Sequence, residues 1–121
     1  MYLYAMKQWQ VLQTVFPKVI TENFEFTNYE ETPDSINYWL EEREYMSRED
    51  HKKGTVRPYG FTDYKTIQDF PIRGRGVYLH VRRRKWIDRS TGEIFTYEYD
   101  NLTESGSKLT PEFVAFLKEE D

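Results

Sequence analysis

Seven cations fall between Arg73 and Arg89: Arg73, Arg75, Arg82, Arg83, Arg84, Lys85 and Arg89. One anion, Asp88, lies among them, so the segment carries +6 in a chain whose formal charge is −4, leaving −10 for the rest. Ammonium and guanidinium groups bond phosphate oxygens, arginine with a planar fork. An acidic chain that gathers its cations on one segment is set up to present that segment to a polyanion. The residues this points to are Arg73, Arg75, Arg82, Arg84, Lys85, Trp86 and Arg89. The rings of Tyr78 and Trp86 would stack on sugars or pack beside a duplex backbone. The plainer reading is a solvated sheet face shielded by aromatics.

The elements that must position these cations follow from periodicity. Val77, Leu79 and Val81 alternate with Tyr78, His80 and Arg82, the period-two pattern of a β-strand. The odd positions would face a core. The even positions Tyr78, His80, Arg82, Arg84 and Trp86 would line the other face. Asp88-Arg89-Ser90-Thr91-Gly92-Glu93 is rich in turn formers, and Ile94-Phe95-Thr96-Tyr97 is β-prone, so the segment predicts a basic β-hairpin. Pro71 to Gly76, with two glycines, predicts a tight connection from a strand near Ile67.

Upstream, the spacing of Leu3, Met6, Leu12, Val15 and Phe16 predicts a helix, and Pro17 interrupts it or begins a short turn to Asn23. Phe24 to Glu30 reads as a strand, Thr32-Pro33-Asp34-Ser35 as a turn, and Ile36 to Leu40 as an antiparallel partner. Glu41 to Pro58 is polar and charged and reads as a long, mobile loop. Asp100 to Ser107 reads as another loop. Thr110-Pro111-Glu112 then supplies an N-cap, a first-turn proline and a first-turn acid, with Phe113, Phe116 and Leu117 at helical spacing. That helix either docks on the domain or opens an element that continues elsewhere. The expected fold class is α+β: an N-terminal helix, an antiparallel sheet of about four to six strands including the basic hairpin, and a short C-terminal helix. Residues 1–108 would form the domain and residues 109–121 a helical tail.

Composition narrows the function. A chain of 121 residues predicts one domain, and 10 Tyr, 8 Phe and 3 Trp supply core volume in few residues. The absence of cysteine excludes disulfides, thiolate zinc sites and a cysteine nucleophile. His51 and His80 are too far apart in sequence to form a zinc site alone. No metal and no cofactor are expected. No stretch approaches the roughly 20 apolar residues of a membrane span, and Lys7 and several Gln interrupt the N-terminal run, so a cytoplasmic protein is expected.

Two stretches carry a family likeness: Asp69-Phe70-Pro71, Gly74, Val77-Tyr78-Leu79-His80-Val81 and Arg82-Arg83-Arg84-Lys85-Trp86 in the first, and Leu109 to Phe116 in the second. They resemble the N-terminal region of bacterial insertion-sequence transposases, in the group with a zinc-finger-like domain ahead of a helix-turn-helix and an acidic nuclease core. Phe16-Pro17-Lys18, Ile67 to Gly74 and Arg82 to Trp86 are similar to a subgroup, typical of Bacteroidetes, whose N-terminal region is often a separate product. The likeness spans most of the chain and is strongest from Tyr64 to Thr96. It implies a non-catalytic, DNA-binding accessory region acting in transposition. The implied partners are double-stranded DNA near the element's terminal inverted repeats and a separately encoded catalytic chain. One departure is clear. Asp88 and Thr91 stand where the group has its second cysteine pair, and oxygen ligands of this kind replace thiolates poorly. Packing by Tyr38, Trp39, Phe70, Trp86, Phe95, Tyr97 and Tyr99 is expected to hold the hairpin instead.

The remaining candidates read as structural. Asp69 is expected to bond turn amides or pair with an arginine, His80 to pack or lie on the surface, and the acids Glu30, Glu31, Glu41, Glu42, Glu44, Glu49 and Asp50 to solvate. No catalytic residue is expected. A second hypothesis is a protein-interaction module that docks the catalytic chain or self-associates without binding DNA. Replacing Arg82 and Arg84 together with Ala is expected to weaken DNA binding and flatten its salt dependence while the fold survives, and unchanged affinity would remove the hairpin as the DNA site.

Overall fold

The computed structural model describes residues 16–99 and 110–118. The expected helix at Leu3–Phe16 and the expected loop at Asp100–Ser107 lie outside these residues, apart from Phe16. The described elements run α1 (Lys18–Asn23), β1 (Phe24–Glu31), β2 (Ser35–Glu42), α2 (Arg48–Lys53), β3 (Val56–Phe61), β4 (Lys65–Ile72), β5 (Arg75–Arg82), β6 (Arg84–Asp88), β7 (Glu93–Phe95) and α3 (Pro111–Lys118). The fold is α+β. Its strands divide into a four-stranded sheet, ordered β1-β2-β5-β4, and a three-stranded sheet, ordered β3-β6-β7. The expectation of one antiparallel sheet is revised twice. There are two sheets, and β2 runs parallel to β5, with Ile36 opposite Val77 and Leu40 opposite Val81.

The larger sheet buries one face. Ile36, Tyr38 and Leu40 of β2 and Val77, Leu79 and Val81 of β5 point into a single apolar cluster. Phe16, Ile20 of α1, and Phe113, Phe116 and Leu117 of α3 cover that face. At about 25 cal/mol per Å² of apolar surface, each such large side chain contributes roughly 1.5–3 kcal/mol. The α3 start follows the sequence reading, with the Phe113 amide donating to Thr110 Oγ1 at 3.3 Å and the Val114 amide to the Thr110 carbonyl at 3.1 Å.

Residues Glu41 to Pro58 are not a loop. Glu41 and Glu42 complete β2, and α2 then forms with Ser47 as its cap, the Asp50 amide donating to Ser47 Oγ at 3.1 Å. Gly54 ends α2 in the left-handed conformation, φ 72°. No residue of α2 is buried, so the helix has no apolar stripe to betray it. Tyr97 tethers it from outside: its hydroxyl donates to Asp50 Oδ2 at 2.6 Å and accepts from the Ser47 amide at 3.2 Å. Pro58 sits in β3, an edge strand, where a missing N–H is tolerated.

The β4–β5 connection is the tight turn the glycines predict. Its two central residues, Arg73 and Gly74, both have positive φ, 49° and 79°. That is the two-residue hairpin geometry that favours Asn-Gly. Arginine at the first position carries backbone strain, so Arg73→Asn should raise stability by a few tenths to about 1 kcal/mol, read as a higher urea midpoint at unchanged slope. A lower midpoint would show that the Arg73 side chain contributes more than its backbone loses.

Candidate nucleic-acid interface

The basic segment does not run as one strand arm. β5 ends at Arg82, β6 begins at Arg84, and the chain changes sheets at Arg83. Arg83 continues the inward parity of Val77, Leu79 and Val81, and it is buried, 3% exposed. Its guanidinium donates to the Tyr97 carbonyl, lies 5.5 Å from the centre of the Tyr99 ring and stands 4.0 Å from Glu42 Oε2. Its backbone exchanges bonds with Thr62, whose hydroxyl accepts at 3.0 Å and whose amide donates at 2.8 Å. After Arg83 the parity inverts. In β6 it is the even residues Trp86 and Asp88 that are buried. The expectation that Trp86 lines the exposed face with Tyr78, His80 and Arg82 is therefore corrected: Trp86 is 2% exposed and packs on Tyr97 at 5.4 Å, so its ring is closed to a nucleic acid.

Carboxylates sort the remaining cations. Arg75 pairs with Glu31. Arg82 pairs with Glu41, and its guanidinium lies 4.0 Å from the Phe61 ring centre and 4.7 Å from that of Tyr64. Arg84 donates to the Glu42 carbonyl at 3.1 Å and to Glu44 Oε1 at 3.4 Å, and lies 4.5 Å from the Phe61 ring centre. Arg73, Lys85 and Arg89 have no carboxylate within 4.0 Å among the described residues. Arg73 stands alone at the β4–β5 turn. Lys85 and Arg89 belong to the smaller sheet.

The outer face of that sheet brings unpaired charge together. On β6, Lys85 and Ile87 point away from the side that buries Trp86. Arg57 of β3 and Ile94 of β7 stand opposite Ile87 in register, so Arg57, Ile87 and Ile94 form one row across three strands. Ile94 is 45% exposed, and Arg57 is exposed with no carboxylate partner among the described residues. Arg89 follows at the turn, its amide donating to the Thr55 carbonyl at 2.9 Å. Arg57 was not among the residues the sequence singled out, because Pro58 and Gly60 obscured the β3 pattern.

The turn that replaces the cysteine knuckle is built by Asp88. Its Oδ1 accepts from the Ser90 amide at 3.0 Å and the Ser90 hydroxyl at 2.6 Å, and its carbonyl accepts from the Gly92 amide at 2.7 Å. These Ser90 bonds hold the Asp88 carboxyl below its ordinary pKa. Gly92 closes the turn at φ 77°. Of the aromatic residues expected to hold the hairpin, Trp86, Phe95 and Tyr97 pack together. The others serve elsewhere: Tyr38 in the main core, Tyr99 stacked on Phe24, Trp39 stacked on His80 at 4.5 Å, and Phe70 exposed at 56%. Asp69 pairs with no arginine; burial raises its carboxyl pKa against the Phe70 amide. His80 Nε2 lies 2.9 Å from Asn37 Oδ1 and its Nδ1 2.8 Å from the Thr66 hydroxyl, and burial lowers its pKa. Among the described residues no three His, Asp or Glu side chains converge to hold a metal, and no helix is long and apolar enough to cross a membrane.

Glu42 was grouped with the solvating acids and is corrected too. It is 6% exposed, accepts from the Arg84 amide at 2.9 Å and from the Tyr99 hydroxyl, and faces Arg83. Burial raises its pKa despite these contacts, and the same burial with Glu42 beside it raises that of Tyr99. Comparison with family models, with curated proteins and with solved structures finds no match to this chain.

Removing the Glu42 carboxylate takes away a counter-charge 4.0 Å from the buried Arg83 guanidinium. Glu42→Ala should therefore destabilise by about 3–5 kcal/mol in urea unfolding. A raised carboxyl pKa means the folded state holds the proton more tightly than the unfolded chain. Its contribution is present below the ordinary value of 4.5 and is lost as pH rises through the folded value. Stability measured against pH should thus fall less steeply above 4.5 in Glu42→Gln than in the parent, and parallel curves would contradict the shift.

Proposed function

We propose that this chain is the non-catalytic N-terminal accessory region of an insertion-sequence transposase, and that it binds duplex DNA through the outer face of its three-stranded sheet. The observation that carries the DNA contact is the row of Arg57, Ile87 and Ile94 flanked by Lys85 and Arg89, three cations with no carboxylate partner among the described residues. Such cations gain most from phosphate, because binding releases condensed counterions without breaking an ion pair. The two-stranded β6–β7 ribbon of this sheet is of a kind that enters a major groove, and the exposed Ile94 offers an apolar contact to a base edge. The transposition context rests on the resemblance of Asp69 to Gly74 and Val77 to Trp86. A separately encoded chain supplies the nuclease core.

A second reading has its own observation. Arg75, Arg82 and Arg84, three of the cations first assigned to DNA, are each engaged by a carboxylate. This internal neutralisation favours a protein-interaction module that docks the catalytic chain. Salt separates the two, since phosphate contacts weaken steeply with salt and an apolar interface barely changes.

The test is a salt-titrated binding curve on duplex DNA, comparing a terminal repeat with a scrambled sequence. Replacing Arg57, Lys85 and Arg89 with Gln should reduce the log–log salt slope by about 3 and leave the fold intact. An unchanged slope would remove this face as the DNA site, and absence of binding at low salt would leave the protein-interaction reading.

A further inference from the structure

A cleft of about 330 Å³ opens beside the seam between the two sheets. Its walls are aromatic: Tyr45, Trp86, Tyr97 and Tyr99 all line it. Glu42 and Glu98 contribute carboxylates and Arg43 one guanidinium, so the lining is net negative. The volume is at the low end for a ligand pocket and has room for one long side chain or a small amine. None of this belongs to the face proposed for DNA, which lies on the side of β6 opposite Trp86.

We infer that this cleft binds an organic cation, an alkylammonium or alkylguanidinium group, with its stem along the tyrosine rings and its head toward Glu42 and Glu98. Three features support the choice of ligand. Aromatic faces present negative quadrupoles that attract desolvated cations. Glu42 is nearly inaccessible to water, yet the bonds from Tyr99 and the Arg84 amide and the Arg83 guanidinium at 4.0 Å do not fully offset the cost of burying its charge, since its pKa stays raised. A cation entering the cleft supplies the missing compensation. Tyr45 is 63% exposed and unburdened by core packing, so it is free to close over a ligand. An anion, by contrast, would meet two carboxylates against one guanidinium in an aromatic lining.

The cation has two sources, a free amine or the Lys or Arg side chain of a peptide. Titrating the ¹⁵N-labelled full chain with agmatine, with the peptide Gly-Arg-Gly and with the neutral stem control 1-pentanol distinguishes them. Saturable shifts of the Trp86 indole and the Tyr45 and Tyr97 amides are expected with the two cations, at a Kd in the range of about 0.1–10 mM, and not with pentanol. Tighter binding of agmatine identifies a free amine, and tighter binding of the peptide a side chain from a partner. Tyr45→Ala and Glu98→Gln change exposed residues and should each keep the spectrum of the fold while weakening binding roughly tenfold or more. The inference is overturned if neither cation gives saturable shifts, if pentanol shifts the same residues equally, or if both variants bind as tightly as the parent.

Discussion

Arg83 is 3% exposed, and a guanidinium keeps its charge at any pH the protein meets, so the surrounding structure must compensate it on every side. Glu42 provides the counter-charge, the Tyr97 carbonyl a hydrogen-bond acceptor and the Tyr99 ring a π-face. These partners come from β2 and from the segment after β7, while Thr62, between β3 and β4, holds the Arg83 backbone. One residue therefore ties together strands of both sheets at the point where the chain passes between them. The same point inverts the inward parity, so Trp86 rather than Lys85 enters the interior. A hydrophobic residue at position 83 would pack there without demanding Glu42, Tyr97 or Tyr99.

The compensation extends outward and divides the basic segment into two populations. Arg75, Arg82 and Arg84 are matched by Glu31, Glu41 and Glu44 from β1, β2 and the residues just after β2. Partly exposed pairs of this kind add little stability, commonly under about 1 kcal/mol each. They nonetheless set the electrostatic surface, because a matched arginine offers phosphate little net charge. Among the described residues, Arg57, Lys85 and Arg89 on the smaller sheet have no carboxylate partner, and neither does Arg73 at the β4–β5 turn. In a chain of formal charge −4, three cations without a carboxylate partner among the described residues thus share one small face.

Much of the architecture was legible in the sequence because it rests on local physics. The alternation of Val77, Leu79 and Val81 gave β5, Thr110-Pro111-Glu112 gave the start of α3, and Asp88 to Gly92 gave the β6–β7 turn. The misses share a cause. Arg82 to Lys85 are four cations with no hydropathy contrast, so the parity change at Arg83 leaves no trace in the pattern. The α2 helix rests on Ser47, Gly54 and a remote tyrosine rather than on an apolar stripe. The parallel pairing of β2 and β5 joins residues about forty positions apart, such as Ile36 and Val77, and no local signal encodes it. Two clues did exist. Glu42 continues the inward parity of Ile36, Tyr38 and Leu40, and Arg83 continues that of Val77, Leu79 and Val81. Two opposite charges, each on the core side of its strand, are a signature of a buried pair.

If the proposed DNA contact holds, internal pairing rather than the sequence density of arginines decides which cations reach phosphate. Mapping amide and side-chain shifts of the labelled chain on addition of duplex DNA tests it most directly. Perturbation of Arg57, Lys85, Ile87, Arg89 and Ile94 is expected, with the Arg75, Arg82 and Arg84 guanidinium resonances unmoved. Perturbation centred on Arg82 and Arg84, with their pairs to Glu41 and Glu44 broken, would contradict it.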